Sequence, residues 1–183
     1  MTLTKLNTEE LVEKCRRRDQ GAQMEIYNRY YKAMFNTAYR IIKDSAEAED
    51  VMQEAFLTAF TKLSMLEDSK MFGSWLKRIV INSSLTISRK RNIYGEVPLE
   101  TVEYALTDET EGVVREDLTS IRANTVLSTL KELKESYSTA LSLHLIEGYD
   151  YEEICEIMNI SYSNCRTLIS RAKESLRKKI QVV

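Results

Sequence analysis

The 183-residue chain has few of the residues that interrupt helices, with only one proline and five glycines. An all-β protein turns every few residues and needs many such residues at its turns. Hydrophobic residues make up 43% of the chain, which is enough for a packed core. We therefore predict an all-α fold. The length allows one domain or two small ones, because domains usually hold about 100 to 150 residues.

Residues that carry enzymatic chemistry are also scarce. The only histidine, His144, lies in the mostly apolar segment LSLHLIEG, which favours a structural role over that of a general base. Cys15, Cys155 and Cys165 are too few and too scattered for a disulfide framework or a metal knuckle, so we expect reduced, mostly buried thiols. The sequence contains no glycine-rich phosphate loop and no nucleophile elbow. We predict that the chain is not an enzyme and that it holds no metal and no cofactor.

Long apolar runs are missing as well. No run approaches the roughly 20 residues that span a bilayer, and the start MTLTKLNTEE lacks the charged-then-apolar pattern of a secretory signal. We expect a cytoplasmic protein without membrane insertion.

Charge is nearly balanced, with 26 Lys and Arg against 28 Asp and Glu, but it is unevenly distributed. Basic residues form two runs, with an acidic stretch between them. Each run has two interpretations of equal weight: a surface for a polyanion, or the basic last turn that a helix dipole favours. The first run comprises Lys77, Arg78, Arg89, Lys90 and Arg91, and the second comprises Arg166, Arg171, Lys173, Arg177, Lys178 and Lys179.

Apolar residues recur at helical spacing from Thr8 to about Arg91. Asp44 and Ser45 precede the segment AEAEDVMQEAFLTAFTKL, and a Ser or Asp before an acidic first turn marks a helix start. A further long helix is predicted from about Ser74 to Lys90. Residues 1–91 are thus expected to form one helical domain.

The composition changes between residues 92 and 119. Gly95, Pro98 and Gly112 break helices there, and the charged residues are nearly all acidic. Such a segment cannot bury enough apolar surface to offset the entropy of ordering. We predict a flexible acidic linker over 92–119. Helical spacing returns from Ile121, so residues 120–183 are expected to form a second helical domain.

The strongest local signal is a predicted helix-turn-helix near the C-terminus. Asp150 and Glu153 have the spacing of a capping box that starts a short helix. Asn159 tolerates the left-handed conformation that a tight turn requires, and Ser161 can cap a second helix. The residues expected to make apolar contacts between the two helices are Ile154, Met158, Ile160, Cys165 and Leu168, with Cys155 where they come closest.

The second helix of this motif carries a polar and basic outward face. Helices presented in this way enter the major groove, where Arg pairs with guanine and a basic tail contacts phosphates. A solvated polar face is the plainer alternative, but the helix pair, the caps, the turn residue and the basic face together favour DNA binding. The face comprises Tyr162, Ser163, Asn164, Arg166, Thr167, Ser170, Arg171 and Lys173.

Two long segments resemble a known family. AEAEDVMQEAFLTAF, followed by GSWLKRIVINSS and SRKR, resembles the first conserved domain of the extracytoplasmic-function (ECF) sigma factors, within the sigma-70 family of bacterial RNA polymerase sigma factors. The segment LKESYSTALSLHLIEGYDYEEICEIMNISYSNCRTLISRAKESLRKK resembles their second domain. Both segments occur in the family order with an acidic stretch between them, so the match is more specific than a helix-turn-helix alone.

The resemblance implies roles for the first domain, which in this family binds the clamp helices of core RNA polymerase and melts the minus-ten promoter element. It places polymerase contacts at Asp50, Gln53 and Glu54, while Val51 and Phe56 are expected to pack. Asn82 matches a position that holds a base flipped out of the minus-ten strand, and basic side chains beside it would contact the DNA backbone. Those basic residues are Arg78, Arg89, Lys90 and Arg91. Trp75 is assigned to the core.

For the second domain the resemblance implies recognition of the minus-thirty-five element, with Arg166, Ser170 and Arg171 at the positions that usually make this contact. The chain departs from the family at Leu168, where many members carry Arg, so one phosphate or base contact that the resemblance implies is missing. Core polymerase, through its clamp helices and flap, promoter DNA and an anti-sigma protein are the partners that the resemblance implies.

Two other classes of protein compete with this interpretation. An enzyme such as a nuclease could use paired carboxylates, for example Glu49 and Glu54, but acids on a helix surface are usually solvated. An ordinary helix-turn-helix regulator would pair its DNA-binding motif with a ligand-sensing or dimerising domain. The N-terminal segment instead supplies an acidic helix and then a basic one that contains Trp75, in the family order.

Overall fold

The structure, a computed structural model, describes residues 5–94 and 118–181, and it describes their side chains except at 92–94 and 118–122. All regular elements in these ranges are helical, which confirms the predicted all-α fold. The chain divides into two units, Met1–Thr101 and Val102–Val183, and each is described by itself. Most of the predicted linker, residues 95–117, lies outside the described residues.

The described part of the first unit contains the helices α1 (Thr8–Arg16), α2 (Gln20–Ile42), α3 (Ser45–Thr61) and α4 (Phe72–Tyr94). Two short 3₁₀ turns lie between α3 and α4. Helix α4 extends beyond the predicted Ser74 to Lys90 at both ends, and it continues to the residue before Gly95.

Side chains just before the first three helices determine where these helices begin. Asn7, Asp19 and Asp44 each accept a hydrogen bond from a backbone N–H of the first turn, at 2.8, 3.1 and 3.0 Å. Such caps satisfy donors that have no partner within the helix. Asp44 does so as predicted, and Lys43 before it adopts a left-handed conformation, with φ of 61°, that ends α2.

The core of the first unit forms where α2, α3 and α4 pack against one another, with α1 packed on α2. Each fully buried large apolar side chain contributes about 1.5–3 kcal/mol. Val51 and Phe56 of α3 are buried as predicted, and Trp75 is half-buried against this core. Other core side chains are Leu11, Ile26, Met34, Phe72, Leu76 and Val80.

The close approach of α2 and α4 depends on a glycine. A Cβ at Gly73 would lie 3.0 Å from Cε1 of Tyr30. The missing side chain lets the Tyr30 ring lie on α4, where it meets Phe72 edge-on with ring centroids 5.7 Å apart.

The described part of the second unit contains α5 (Leu118–Lys131), α6 (Glu135–Leu141), α7 (Tyr151–Met158) and α8 (Tyr162–Ile180). A π-helical turn, Ser142–Ile146, follows α6. Helix α8 packs against α5, α6 and α7, so this one helix organises the unit.

Helices α7 and α8 form the predicted helix-turn-helix. The backbone N–H of Glu153 donates to Asp150 at 2.8 Å, and the backbone N–H of Asp150 donates to Glu153 at 2.9 Å. Asn159 adopts the left-handed conformation, with φ of 53°. The hydroxyl of Ser161 accepts from the backbone N–H of Asn164. These observations confirm the predicted capping box, turn and second cap.

The contact between α7 and α8 differs in detail from the prediction. Ile154 and Cys165 are buried as expected, whereas Met158, Ile160 and Leu168 are only half-buried. Ile157 and Ile169 are buried as well, since Ile157 follows Ile154 by three residues and Ile169 follows Cys165 by four, each on the same face of its helix.

The three cysteines are free thiols. Cys15 and Cys165 are buried as expected, while Cys155 is half-buried. Burial, together with a hydrogen bond to Cys155, raises the pKa of the Cys165 thiol to about 11. This thiol therefore stays neutral near pH 7 and acts as a small packing group between α7 and α8.

Arg91 joins three helices of the first unit. Its guanidinium donates to the backbone carbonyl of Ile42, the last residue of α2, at 2.8 Å, and it forms an ion pair with Glu47 of α3. The Arg91 side chain is only 15% exposed. A charge-assisted hydrogen bond at the end of a helix also satisfies a carbonyl that lacks a partner within the helix.

We predict that Arg91→Ala lowers the free energy of unfolding of the first unit by about 2 kcal/mol, because it removes charged hydrogen bonds from a mostly buried site. Lys90→Ala is the control, since Lys90 is exposed on the same turn, and it should change stability by less than about 0.5 kcal/mol. Denaturant unfolding followed by fluorescence of Trp75, the only tryptophan of the chain, reports this unit. Coincident transitions for wild type and Arg91→Ala would contradict the assignment.

Candidate functional site

An acidic face on α3 holds the residues predicted to contact polymerase. Asp50, Gln53 and Glu54 are all exposed, and the Gln53 amide donates to Glu49 at 3.1 Å. The opposite side of α3 is buried in the core through Met52, Phe56 and other apolar residues. Core packing therefore fixes the orientation of the helix and leaves these three polar side chains together on the surface.

An exposed leucine extends this face, which the interpretation of the sequence missed. Leu57 is 61% exposed, although it lies in a helix with a well-packed apolar side. It follows Gln53 by four residues and Glu54 by three, so it shares their side of the helix. The helical spacing alone would have placed an apolar residue on the acidic face.

The candidate minus-ten residues of α4 occupy different sides of the helix. Asn82 is exposed, Arg78 is half-buried one turn before it, and Arg89 and Lys90 are exposed about two turns after it. Arg91 follows Asn82 by about two and a half turns, which places it on the opposite side, bonded to Ile42 and Glu47. The structure thus groups Arg78, Asn82, Arg89 and Lys90 and sets Arg91 apart.

The outward face of α8, which we call the recognition face, is exposed almost throughout. Lys173 is the exception, since it is half-buried. Leu168, at a position where the resemblance implies Arg, is also half-buried. The exposed residues of the face are Tyr162, Ser163, Asn164, Arg166, Thr167, Ser170 and Arg171.

The basic tail of α8 is partly neutralised within the second unit. The Lys178 ammonium lies 2.7 Å from a Glu174 carboxylate oxygen, and the Lys179 ammonium lies 2.9 Å from a carboxylate oxygen of Glu132 on α5. Both pairs are exposed, and ion pairs that are surrounded by solvent contribute little to stability. A phosphate could therefore replace either carboxylate at small cost.

The described ranges contain neither a candidate membrane span nor a candidate metal site. No helix there is long and apolar enough to cross a membrane. No group of His, Cys, Asp and Glu within these residues is arranged to hold a metal ion.

Two family models match the chain. The model for sigma-70 region 2 matches residues 26–93, which include most of α2 and all of α3. The model for sigma-70 region 4 matches residues 123–176. The acidic face of α3 and Asn82 fall within the first match, and the recognition face falls within the second.

Proteins that are similar to this chain over nearly their whole length are named RNA polymerase sigma factors. The chain is 32% identical to the RNA polymerase sigma-H factor of Pseudomonas aeruginosa, over 98% of this chain and 96% of that protein. It is 31% identical to the ECF RNA polymerase sigma factor SigW of Bacillus subtilis, over 93% of this chain and 95% of that protein.

A solved structure shares the fold. The sigma factor RpoE of Bartonella quintana, crystallised with the anti-sigma factor NepR, matches with a TM-score of 0.61 and 22% identity. The match covers 87% of this chain and 96% of that one.

Proposed function

The chain belongs to the ECF sigma factors of the sigma-70 family, and from this premise we propose that it binds core RNA polymerase and directs transcription initiation at specific promoters. In this proposal the first unit docks on the polymerase and opens the minus-ten element, and the second unit recognises the minus-thirty-five element.

The observation that carries the proposal is the presence of both sigma-70 regions in one chain, in two separate helical units. A helix-turn-helix regulator, the main alternative, needs a domain that senses a ligand or dimerises. Here residues 26–93 match region 2 instead. Relatives that match nearly the whole chain are named RNA polymerase sigma factors.

The acidic face of α3 is the proposed docking surface for the clamp helices of the largest polymerase subunit. Charged side chains steer association and select the partner, and apolar surface that is removed from water adds binding energy. Asp50, Gln53, Glu54 and the exposed Leu57 together provide both kinds of contact. The flap is the proposed contact of the second unit.

The surface around Asn82 is the proposed site of strand opening. An enzyme or factor that extrudes a base must hydrogen-bond its edge and neutralise the adjacent backbone. Asn82 offers an exposed amide, and Arg78, Arg89 and Lys90 lie along the same part of α4. Arg91 has a contribution to the fold that is independent of DNA.

The recognition face of α8 is the proposed contact with the minus-thirty-five element. Arg166 and Arg171 can reach base edges in the major groove, while Ser163, Asn164, Thr167 and Ser170 supply shorter hydrogen-bonding groups. Lys173 would contribute at the margin, since it is half-buried.

Regulation by an anti-sigma protein also belongs to the proposal. The Bartonella quintana structure with the same fold was solved with such a partner. We further propose that the chain acts in the cytoplasm, where core polymerase and promoter DNA are found.

We predict that Asp50→Lys combined with Glu54→Lys weakens binding to core polymerase roughly tenfold or more, because reversed charges meet the partner with the wrong sign. The control is Glu9→Lys with Glu67→Lys, an equal charge change at exposed positions outside α3. Affinity for core polymerase is measured by titration, and circular dichroism checks the fold. Equal affinities for the two folded double variants would move the docking surface elsewhere.

Asn82→Ala should leave polymerase binding unchanged and reduce opening of the minus-ten element, because the amide contacts only an extruded base. Permanganate footprinting of thymines in that element measures the opening. Asn28→Ala, which removes an exposed amide from α2, is the matched control. Full thymine reactivity with Asn82→Ala would remove Asn82 from the site.

Arg166→Ala or Arg171→Ala should each cost about 1–3 kcal/mol on a matched promoter and relax sequence preference at one or two positions. Replacing Lys178 and Lys179 should instead weaken binding to every sequence equally and reduce the salt slope by roughly 0.9 per lost phosphate contact. Binding of the full-length variants to matched and scrambled minus-thirty-five duplexes at several salt concentrations separates the two effects. If the arginine variants lose affinity equally for both duplexes, these arginines contact only the backbone.

A further inference from the structure

One residue of the recognition face is unlike the others. Tyr162 is the first residue of α8, and its side chain is 49% exposed. No other large apolar side chain of α8, as far as the structure describes this helix, is exposed. The N-terminal residues of a recognition helix are those that approach base edges in a helix-turn-helix. Both the position and the exposure of the Tyr162 ring therefore suit it for contact with a base.

The Tyr162 ring packs against a second ring. Tyr151, the first residue of α7, meets Tyr162 with ring centroids 6.3 Å apart and an interplanar angle of 63°. This edge-to-face geometry is a favourable one for aromatic pairs. The two helix starts are thus linked through their first side chains, across the turn formed by Asn159.

A third ring completes the row. The ring centroids of His144 and Tyr151 are 5.1 Å apart, and Nδ1 of His144 is 3.1 Å from the backbone carbonyl oxygen of Tyr149. A carbonyl oxygen only accepts, so Nδ1 carries the proton of this bond. The histidine is therefore oriented from one side and packs against Tyr151 on the other.

The π-helical turn explains why His144 can reach this position. Ser142 and Leu143, in the same turn Ser142–Ile146, are buried, and Gly148 then takes a φ of 82° before α7 begins. The wider turn departs from the regular helix, and such departures are frequent at functional sites. The row of His144, Tyr151 and Tyr162 spans three elements of the second unit and ends at the surface of α8.

We propose that Tyr162 is a specificity-determining residue whose ring packs against the 5-methyl group of a thymine in the minus-thirty-five element, and that Tyr151 and His144 are positioning residues that hold this ring. The inference rests on the proposed function. Thymine is the only base that presents a methyl group in the major groove, and apolar side chains recognise it by contact. The polar groups of Ser163 and Asn164, the next residues, are suited to other features of the groove.

The test compares promoters that carry thymine with promoters that carry deoxyuridine, whose base lacks only the 5-methyl group. The wild-type chain is first bound to core polymerase, and this holoenzyme is used to select a promoter from random sequences. Each thymine of the minus-thirty-five element of that promoter is then replaced in turn by deoxyuridine. Wild type should lose about fourfold in affinity at one position, as expected for one apolar carbon removed from a contact. Tyr162→Ala should lose affinity on the thymine promoter and show no further loss with deoxyuridine.

Tyr162→Phe is the matched control for the hydroxyl group. It should keep the sensitivity to the methyl group, because the ring makes the contact. Two results together would show that the proposal is wrong and that Tyr162 contacts phosphate through its hydroxyl. Tyr162→Phe would weaken binding to all sequences, and the deoxyuridine replacement would have the same effect on wild type as on Tyr162→Ala.

His144→Ala tests the positioning role. It should reduce the sensitivity to deoxyuridine while leaving affinity for the deoxyuridine promoter unchanged, whereas a loss of folding would lower affinity for both promoters. His144→Phe, which keeps a ring against Tyr151, should restore part of the sensitivity. Undiminished sensitivity with His144→Ala would overturn that role.

Different experimental outcomes contradict this inference and the proposed function. A holoenzyme that selects a promoter but has no methyl-sensitive position, or keeps its methyl sensitivity in Tyr162→Ala, contradicts only this inference. A chain that gives no polymerase-dependent promoter selection contradicts the proposed function itself, and this inference with it.

Discussion

Helices α3 and α8 each bury an apolar stripe, and the positions of their free faces follow from that burial. Helix α3 packs Val51, Met52 and Phe56 into the first unit, so its acidic side must face outward. Helix α8 packs Cys165, Ile169 and Leu176 into the second unit, and its polar side is left free in the same way. Because apolar burial is the largest favourable term in folding, the proposed interaction surfaces are consequences of the cores.

The ends of the helices set how neighbouring helices meet within each unit. Asp44 starts α3 immediately after Lys43 has ended α2 in a left-handed conformation. Asn159 and Ser161 do the same between α7 and α8. Short connections of this kind leave little freedom to the helices that they join, and α8 is thereby presented at a defined position against α7.

Much of the fold and of the candidate site could be predicted because the relevant signals are local. Helical periodicity, the capping box of Asp150 and Glu153, and the turn at Asn159 each depend on residues within a few positions. The exposed acidic face of α3 follows from the same periodicity. Leu57 could have been placed on that face by counting, and so could the position of Arg91 opposite Asn82.

Contacts between residues that are far apart in the chain could not be predicted in this way. The sequence shows that Arg91 is basic, but only packing of α4 beside α2 and α3 brings it to Ile42 and Glu47. The row of His144, Tyr151 and Tyr162 likewise depends on a π-helical turn and on two helix starts that meet in space.

The sequence by itself determined the all-α class, the helix-turn-helix and the family, because these depend on periodicity, caps and motif order along the chain. Only the tertiary structure decided which charged and aromatic side chains serve the interior of each unit and which remain at its surface. The physical reason is that the exposure of a side chain and its contacts are properties of the packed helices. Residues that are distant in the chain come into contact only when the chain folds.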